Sequence, residues 1–203
     1  MSLSAQLQKL NGAVIVIASR RKGYGGCIVA LSHHTAEIGP MEEDEKKKKG
    51  SVPWMGQWIL HHIKDDIIVL ESVRFRDRYL NMTEQKNGNG FYRLPKLTKF
   101  PVKPWNSLAD SFWPTCMFKV WGSTFDNVAF QSYRWPILWL DAHHYGHLYG
   151  TRKQGPSTEM IGESWGGCYR FKILPSPART LRMQVRCGGG QARDQHWGLG
   201  GLV

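Results

Sequence analysis

The sequence lacks the cysteine patterns that would assign a class of protein at once. Its four cysteines, Cys27, Cys116, Cys168 and Cys187, stand alone in different segments, without a C-x-x-C pair. Isolated cysteines predict neither a zinc site nor a disulfide framework. We therefore expect reduced thiols, no metal and no cofactor.

Long apolar runs are also missing. The longest such run near the start, residues 13–18, is far too short to cross a bilayer. The polar beginning MSLSAQLQKLNG has none of the pattern of a secretory signal. These absences predict a cytoplasmic protein without a transmembrane segment.

Motifs of several enzyme classes are absent as well. The sequence has no G-x-S-x-G, no Walker loop and no H-E-x-x-H. Cys116 and Cys168 lie in apolar segments, where a thiol is usually a small core residue. The sequence therefore predicts a binding protein that is not an enzyme.

Positive charge is in excess. Lys and Arg number 27 against 16 Asp and Glu, which gives a net charge of +11. Such an excess favours polyanionic partners, among them acidic filaments, sulfated sugars and anionic lipid. Nucleic acid is not the expected partner.

One pattern of strand, turn and strand recurs three times. An alternating apolar strand reaches a serine at Ser19, Ser72 and Ser132, and a basic or aromatic turn and a second apolar strand follow each serine. The closing strands contain Trp58, Phe118 and Phe171. Both series repeat at about fifty to sixty residues, which is the signature of an internal repeat.

The repeats predict an all-β fold, a β-trefoil with three pseudo-repeats. We place a single domain at residues 1–178, with repeats at about 10–63, 64–123 and 124–175, and a Gly-rich, flexible tail at 179–203. The charged segment 41–50 is expected to be a solvated loop. The predicted core contains Leu70, Leu80, Phe118, Phe130, Leu140 and Phe171.

The segments VLESVRFRDRYLNM and VAFQSYRWPILWLDA carry a family resemblance. They resemble the fascin-like β-trefoils, which include the hisactophilins and whose repeats have a Tyr-Leu pair after the turn. Tyr79-Leu80 and Trp139-Leu140 stand at the positions of that pair. Repeat one has Cys27-Ile28 there and matches less well. The resemblance implies a protein that contacts actin filaments. The ricin-type lectin signature Q-x-W is absent from the closing strands, which argues against a sugar site of that kind.

Basic residues follow the serine in each repeat. If the repeats are symmetric, these side chains gather at one end of the barrel and form a solvated surface for actin or another polyanion. The predicted binding residues are Arg20, Arg21, Arg74, Arg76, Arg78 and Arg134.

A second candidate site is a turn rich in histidine and tyrosine. Aromatic faces and imidazole N–H groups can grip a sugar, so this turn predicts a carbohydrate-binding lectin as the alternative function. No acidic partner is spaced to orient the histidines. The residues are His143, His144, Tyr145, His147 and Tyr149. A heparin-binding, cytokine-like trefoil is a third hypothesis.

Overall fold

The fold is built from antiparallel strands. The computed structural model describes residues 1–20, 26–40, 54–86, 93–99, 113–143, 146–152 and 169–176. Within these ranges it contains twelve strands: β1 (Val14–Ser19), β2 (Gly26–Ala30), β3 (Ala36–Pro40), β4 (Gln57–Lys64), β5 (Ile67–Ser72), β6 (Arg78–Lys86), β7 (Arg93–Lys99), β8 (Met117–Thr124), β9 (Asn127–Ser132), β10 (Leu138–Ala142), β11 (Leu148–Arg152) and β12 (Phe171–Pro175). The prediction of an all-β fold is confirmed.

Six of these strands close a barrel. Strand β1 pairs with β4, and the pairing continues through β5, β8, β9 and β12 back to β1. A closed circuit leaves no open sheet edge in this layer. The remaining strands form the hairpins β2–β3, β6–β7 and β10–β11. In chain order, set 1 is β1–β4, set 2 is β5–β8 and set 3 is β9–β12.

The pairing register explains the serines of the repeated pattern. Ser19 lies opposite Phe171, Ser72 opposite Trp58, and Ser132 opposite Phe118. Each serine ends the first strand of its set, and the opposite aromatic residue is fully buried. The recurrence in the sequence therefore corresponds to one repeated cross-strand pair.

Two of the serines also shape the turn that follows. The Ser72 hydroxyl accepts a hydrogen bond from the Phe75 amide at 3.1 Å, and Ser132 accepts one from the Trp135 amide at 3.2 Å. A short hydroxyl side chain can satisfy a turn amide that has no strand partner. This bond accounts for a buried serine at the end of an apolar strand.

The barrel interior contains the main hydrophobic core. All six predicted core residues belong to it, and none has more than a trace of exposed surface. Their neighbours along each strand face outward, because successive side chains of a strand alternate between faces. Three smaller apolar clusters, around Tyr79, Trp139 and Cys27, cover the outside of sets 2, 3 and 1.

Two helices accompany the strands in the described residues, together with a 3-10 turn at Trp54–Gly56. Helix α1 (Leu3–Lys9) starts at Ser2, whose side chain accepts from the Ala5 amide, and it inserts Leu7 into the core. With seven residues, it makes only about two turns, too few to show helical periodicity in sequence. Helix α2 (Trp113–Cys116) leads into β8. No helix in the described ranges is long and apolar enough to cross a membrane.

The cysteines within the described ranges are free and buried, as expected for core thiols. Burial raises the pKa of the Cys27 thiol to about 11 and also raises that of Cys116. Both side chains therefore stay protonated at neutral pH and are poor nucleophiles. Cys168 and Cys187 lie outside the described residues, as do segment 41–50 and the tail.

Truncation of Phe118 tests the core. Phe118→Ala should lower the free energy of unfolding by ~3–5 kcal/mol, because the fully buried ring leaves a cavity. The control is Tyr133→Ala, at an exposed position, with an expected change within about 0.5 kcal/mol. Urea denaturation measures both changes. A loss below about 1 kcal/mol for Phe118→Ala would contradict the buried position.

Candidate functional site

The basic residues of set 2 bind the backbone of set 1. Arg74 donates from Nη1 to the carbonyl oxygens of Ala30 and Leu31, at 3.2 and 3.1 Å. Arg78 donates to the carbonyl oxygen of His33 at 2.6 Å. Both side chains are half-buried. The expectation that these arginines are solvated is therefore wrong, because they tie the β5–β6 turn to the β2–β3 turn.

The other predicted arginines occupy different surroundings. Arg20 is exposed and donates from Nη1 to the carbonyl oxygen of Asp126, at 2.7 Å, in the β8–β9 turn. Arg76 and Arg134 are exposed, and Arg21 lies outside the described residues. A guanidinium has five N–H donors, so these bonds leave donors available. The predicted surface for a polyanion remains a prediction.

The structural role of Arg74 and Arg78 can be measured. The double variant Arg74→Gln/Arg78→Gln should lose about 1–2 kcal/mol of stability, since it removes charge-assisted bonds between two turns. Arg134→Gln is the control, with an expected change within about 0.5 kcal/mol. Urea denaturation compares the two variants. Equal stabilities would mean that the bonds to the β2–β3 turn contribute nothing.

The outer face of the β10–β11 hairpin combines polar and aromatic side chains. Leu138, Leu140, Ala142 and Leu148 point into the core. The alternate residues of both strands, and the two residues that extend them toward the turn, therefore share the opposite face. This hairpin face consists of Trp139, Asp141, His143, His147, Tyr149 and Thr151.

Asp141 forms the floor of the hairpin face. Only 3% of its surface is exposed, and its Oδ2 atom accepts a hydrogen bond from the Thr151 hydroxyl at 2.9 Å. Its Oδ1 atom is buried without a hydrogen-bond partner among the described residues. Leaving a buried acceptor unsatisfied costs about 1–3 kcal/mol, and more when the group is charged. A water or a ligand hydroxyl that reached Oδ1 would remove this cost.

Trp139 adds an unused donor to the same floor. Its indole nitrogen Nε1 is buried and also has no partner within the described part of the chain. The ring is held by Ala129 and Tyr169 and lies 6.1 Å from the ring of Trp121. Trp139 and Asp141 are two positions apart on one strand, so the free N–H and the free oxygen lie on the same face.

Aromatic rings form the rim of the hairpin face. Tyr149 lies 5.3 Å from the His143 ring and 5.6 Å from the His147 ring, measured between centroids. His147 is exposed, and the other two rings are half-buried. The turn bends at Gly146, whose φ of +81° favours glycine. His144 and Tyr145 lie outside the described residues.

The structure adds three residues to the turn predicted from sequence. Asp141 begins the segment that the sequence singles out but was not counted among its candidate binding residues, and Trp139 and Thr151 complete the face. The signal was an aspartate at an outward position of the apolar strand LWLDA. It was not recognised because the strand is buried at every position, so its outward side has no polar pattern.

The corresponding face of set 1 lacks this polar floor, although Glu37 lies opposite Val29 on the same face. The first-strand positions of the three hairpins correspond because Cys27, Tyr79 and Trp139 each pair with the first strand of their own set. Val29 therefore takes the place of Asp141, and Gly39 that of Thr151. A Cβ atom on Gly39 would lie 2.8 Å from a methyl group of Val29, so the valine side chain packs directly against the backbone of Gly39.

Solved structures with this fold include carbohydrate-active and carbohydrate-binding proteins. An arabinofuranosidase in complex with arabinofuranosyl-α-1,2-xylobiose matches 82% of this chain at 15% identity with a TM-score of 0.54, over 31% of its own length. An endo-β-galactosidase from Clostridium perfringens that releases GlcNAcα1-4Gal matches 80% at 12% identity with a TM-score of 0.52, over 32% of its length.

A lectin has the same fold. The Polyporus squamosus lectin, bound to Neu5Acα2-6Galβ1-4GlcNAc, matches 80% of this chain at 8% identity with a TM-score of 0.50, over 49% of its length. At these identities the similarity establishes the fold alone. The chain spans about a third of the two glycosidases and about half of the lectin. No family model and no curated protein matches the sequence.

The prediction that the chain is not an enzyme is contradicted by these comparisons. The structures that match it include glycoside hydrolases. Their chemistry relies on paired carboxylates, which no short sequence motif marks. The absence of the nucleophile and metalloprotease motifs was therefore not a valid exclusion. The described residues contain no group of three or more potential metal ligands.

Proposed function

We propose that this chain binds carbohydrate through the outer face of the β10–β11 hairpin. One observation carries the proposal. Among the described residues, the buried carboxylate of Asp141 has one oxygen without a partner, the indole N–H of Trp139 on the same face has none, and aromatic rings form the rim of that face. Binding sites for small ligands typically combine such aromatic walls with a few convergent polar groups.

The chemistry of a sugar fits both parts of this face. A sugar hydroxyl can donate to Asp141 Oδ1 and form a charge-assisted hydrogen bond, which is short and strong. An adjacent hydroxyl can accept from Trp139 Nε1. The apolar C–H face of the sugar ring can pack on the rings of Tyr149 and His147. The similarity to carbohydrate-active and carbohydrate-binding structures supports this ligand class.

We also propose that the barrel is a β-trefoil, as the sequence repeats predict. The pairs Ser19–Phe171, Trp58–Ser72 and Phe118–Ser132 and the three hairpins support a threefold pseudo-axis. Threefold pseudosymmetry about this axis makes the hairpin faces of sets 1, 2 and 3 equivalent surfaces. The fascin-like resemblance and the actin contact also stay predictions. The use of Arg74 and Arg78 in internal bonds weakens the case for them.

The carbohydrate site can be tested by binding to defined glycans. A glycan array that includes arabinofuranosyl-α-1,2-xylobiose should identify a ligand, and titration calorimetry should then give its affinity. Asp141→Asn and Tyr149→Ala should each weaken binding by about tenfold or more, because the first removes the charge from a hydrogen bond and the second removes an aromatic contact. Tyr133→Ala, an exposed tyrosine outside the face, should bind like the wild type.

The same variants separate this proposal from the filament hypothesis. Binding through the hairpin face should change little between low and high salt. Binding to actin or heparin through the arginines should weaken strongly with salt and with Arg76→Glu/Arg134→Glu. The proposal is wrong if no glycan is retained, or if the retained glycan binds equally well to Asp141→Asn and Tyr149→Ala.

A further inference from the structure

The hairpin β6–β7 of set 2 contains a second unsatisfied polar floor. Asn81 corresponds to Asp141, and only 7% of its surface is exposed. Its amide nitrogen donates to the Thr98 hydroxyl at 3.0 Å, while its Oδ1 atom is buried and lacks a partner among the described residues. Thr98 occupies the place of Thr151, since it lies opposite Tyr79 as Thr151 lies opposite Trp139.

The charge of this floor is opposite to that of set 3. Asn81 is neutral where Asp141 is an acid, and the residue opposite Asn81 is Lys96, where Tyr149 stands opposite Asp141. The Lys96 ammonium donates to Gln85 Oε1. An ammonium has three donors, so two remain for another group.

The direction of the threonine hydrogen bond is also reversed. In set 3 the Thr151 hydroxyl donates a hydrogen bond to the Asp141 carboxylate. In set 2 the Thr98 hydroxyl accepts from Asn81, which leaves its own proton for an outside acceptor. The floor of set 2 therefore offers donors from Thr98 and Lys96, in addition to the single acceptor Asn81 Oδ1.

The surroundings strengthen the preference for an anion. Strands β6 and β7 contain five basic residues and one acidic residue, Glu84, whereas β10 and β11 contain one of each sign. The basic residues are Arg78, Lys86, Arg93, Lys96 and Lys99. The buried acid Glu71 lies opposite Tyr79 and shares a hydrogen bond of 2.8 Å with the ring of His61. Clustered cations raise the local concentration of an anionic ligand.

We propose that the outer face of the β6–β7 hairpin is a second binding site, which takes an acidic saccharide. A ligand hydroxyl donates to Asn81 Oδ1, and the ligand carboxylate accepts from Lys96 and Thr98. The saccharide class rests on the proposed function, whereas the site itself rests on Asn81 and its charge environment. The two hairpin faces then select different sugars, neutral in set 3 and acidic in set 2.

Two matched pairs of ligands test the site on the full chain. The acidic ligands are Neu5Acα2-6Galβ1-4GlcNAc and methyl glucuronide, and their neutral partners are Galβ1-4GlcNAc and methyl glucoside. Calorimetry should show that at least one acidic ligand binds and that its neutral partner binds at least about tenfold more weakly, since a charged hydrogen bond is lost. Added salt should weaken only the acidic ligand.

Variants locate the binding. Lys96→Gln and Asn81→Asp should each weaken the acidic ligand by about tenfold or more. Lys64→Gln, an exposed lysine at the end of β4 and outside this hairpin, should change the affinity less than about threefold. Asp141→Asn should leave it unchanged, so a failure of the set 3 site does not count against the set 2 site. Thermal melting checks that each variant is folded. If Asn81→Asp does not fold, the test rests on Lys96→Gln alone.

The inference is overturned if neither acidic ligand saturates the protein at about 10 mM, a concentration well above the dissociation constant of an ordinary weak site. It is also overturned if binding is the same for the acidic and neutral partners, or survives Lys96→Gln. Loss of acidic-ligand binding in Asp141→Asn, with Lys96→Gln unaffected, would assign the ligand to set 3 and leave only water in set 2.

Discussion

The alternation of side chains along the barrel and hairpin strands is the constraint on which the rest of the structure depends. Each strand must place every second residue in the closed barrel or beneath its hairpins, where the apolar side chains stabilise the fold. The intervening residues must then point to the outer face of the strand. Because Leu140 and Ala142 fill the core, Asp141 must point outward, into the layer covered by the outer clusters. The same constraint that stabilises the core therefore fixes the geometry of the candidate site.

The three outer faces show how one backbone frame can hold different chemistry. In set 1, the side chain of Val29 packs against Gly39, and neither residue has a polar side chain. In sets 2 and 3, Asn81 and Asp141 stand at the corresponding position, each with a threonine partner and an unused oxygen. The inward residues stay apolar in all three sets, so the outer residues can vary without any loss of core packing. Such variation is how unrelated functions occur on one fold.

The sequence predicted the features that depend on local pattern. The serines, the closing aromatic residues and the six core residues follow from alternation and recurrence. The register adds that each serine lies opposite a closing aromatic residue. The parts that were missed depend on contacts distant in sequence. Arg74 and Arg78 bind carbonyl groups more than forty positions away, and no local rule identifies such acceptors. Asp141 was overlooked because its strand is buried on both faces, and α1 because it is too short for periodicity.

One side-chain oxygen in each of Asn81 and Asp141 has no hydrogen-bond partner within the described ranges, and these two oxygens argue most strongly that the outer faces have a function. An apolar alternative that avoids the cost of a buried, unsatisfied acceptor exists in the same molecule, at Val29 and Gly39. If stability alone determined these positions, the arrangement of set 1 would serve equally well in sets 2 and 3. The buried polar groups of sets 2 and 3 lower the stability of the fold, and they occur at two corresponding places with opposite local charge. Ligands that complete their hydrogen bonds explain this arrangement better than stability does. The stability lost in the free protein then returns as binding free energy, since the ligand finds its partners already oriented.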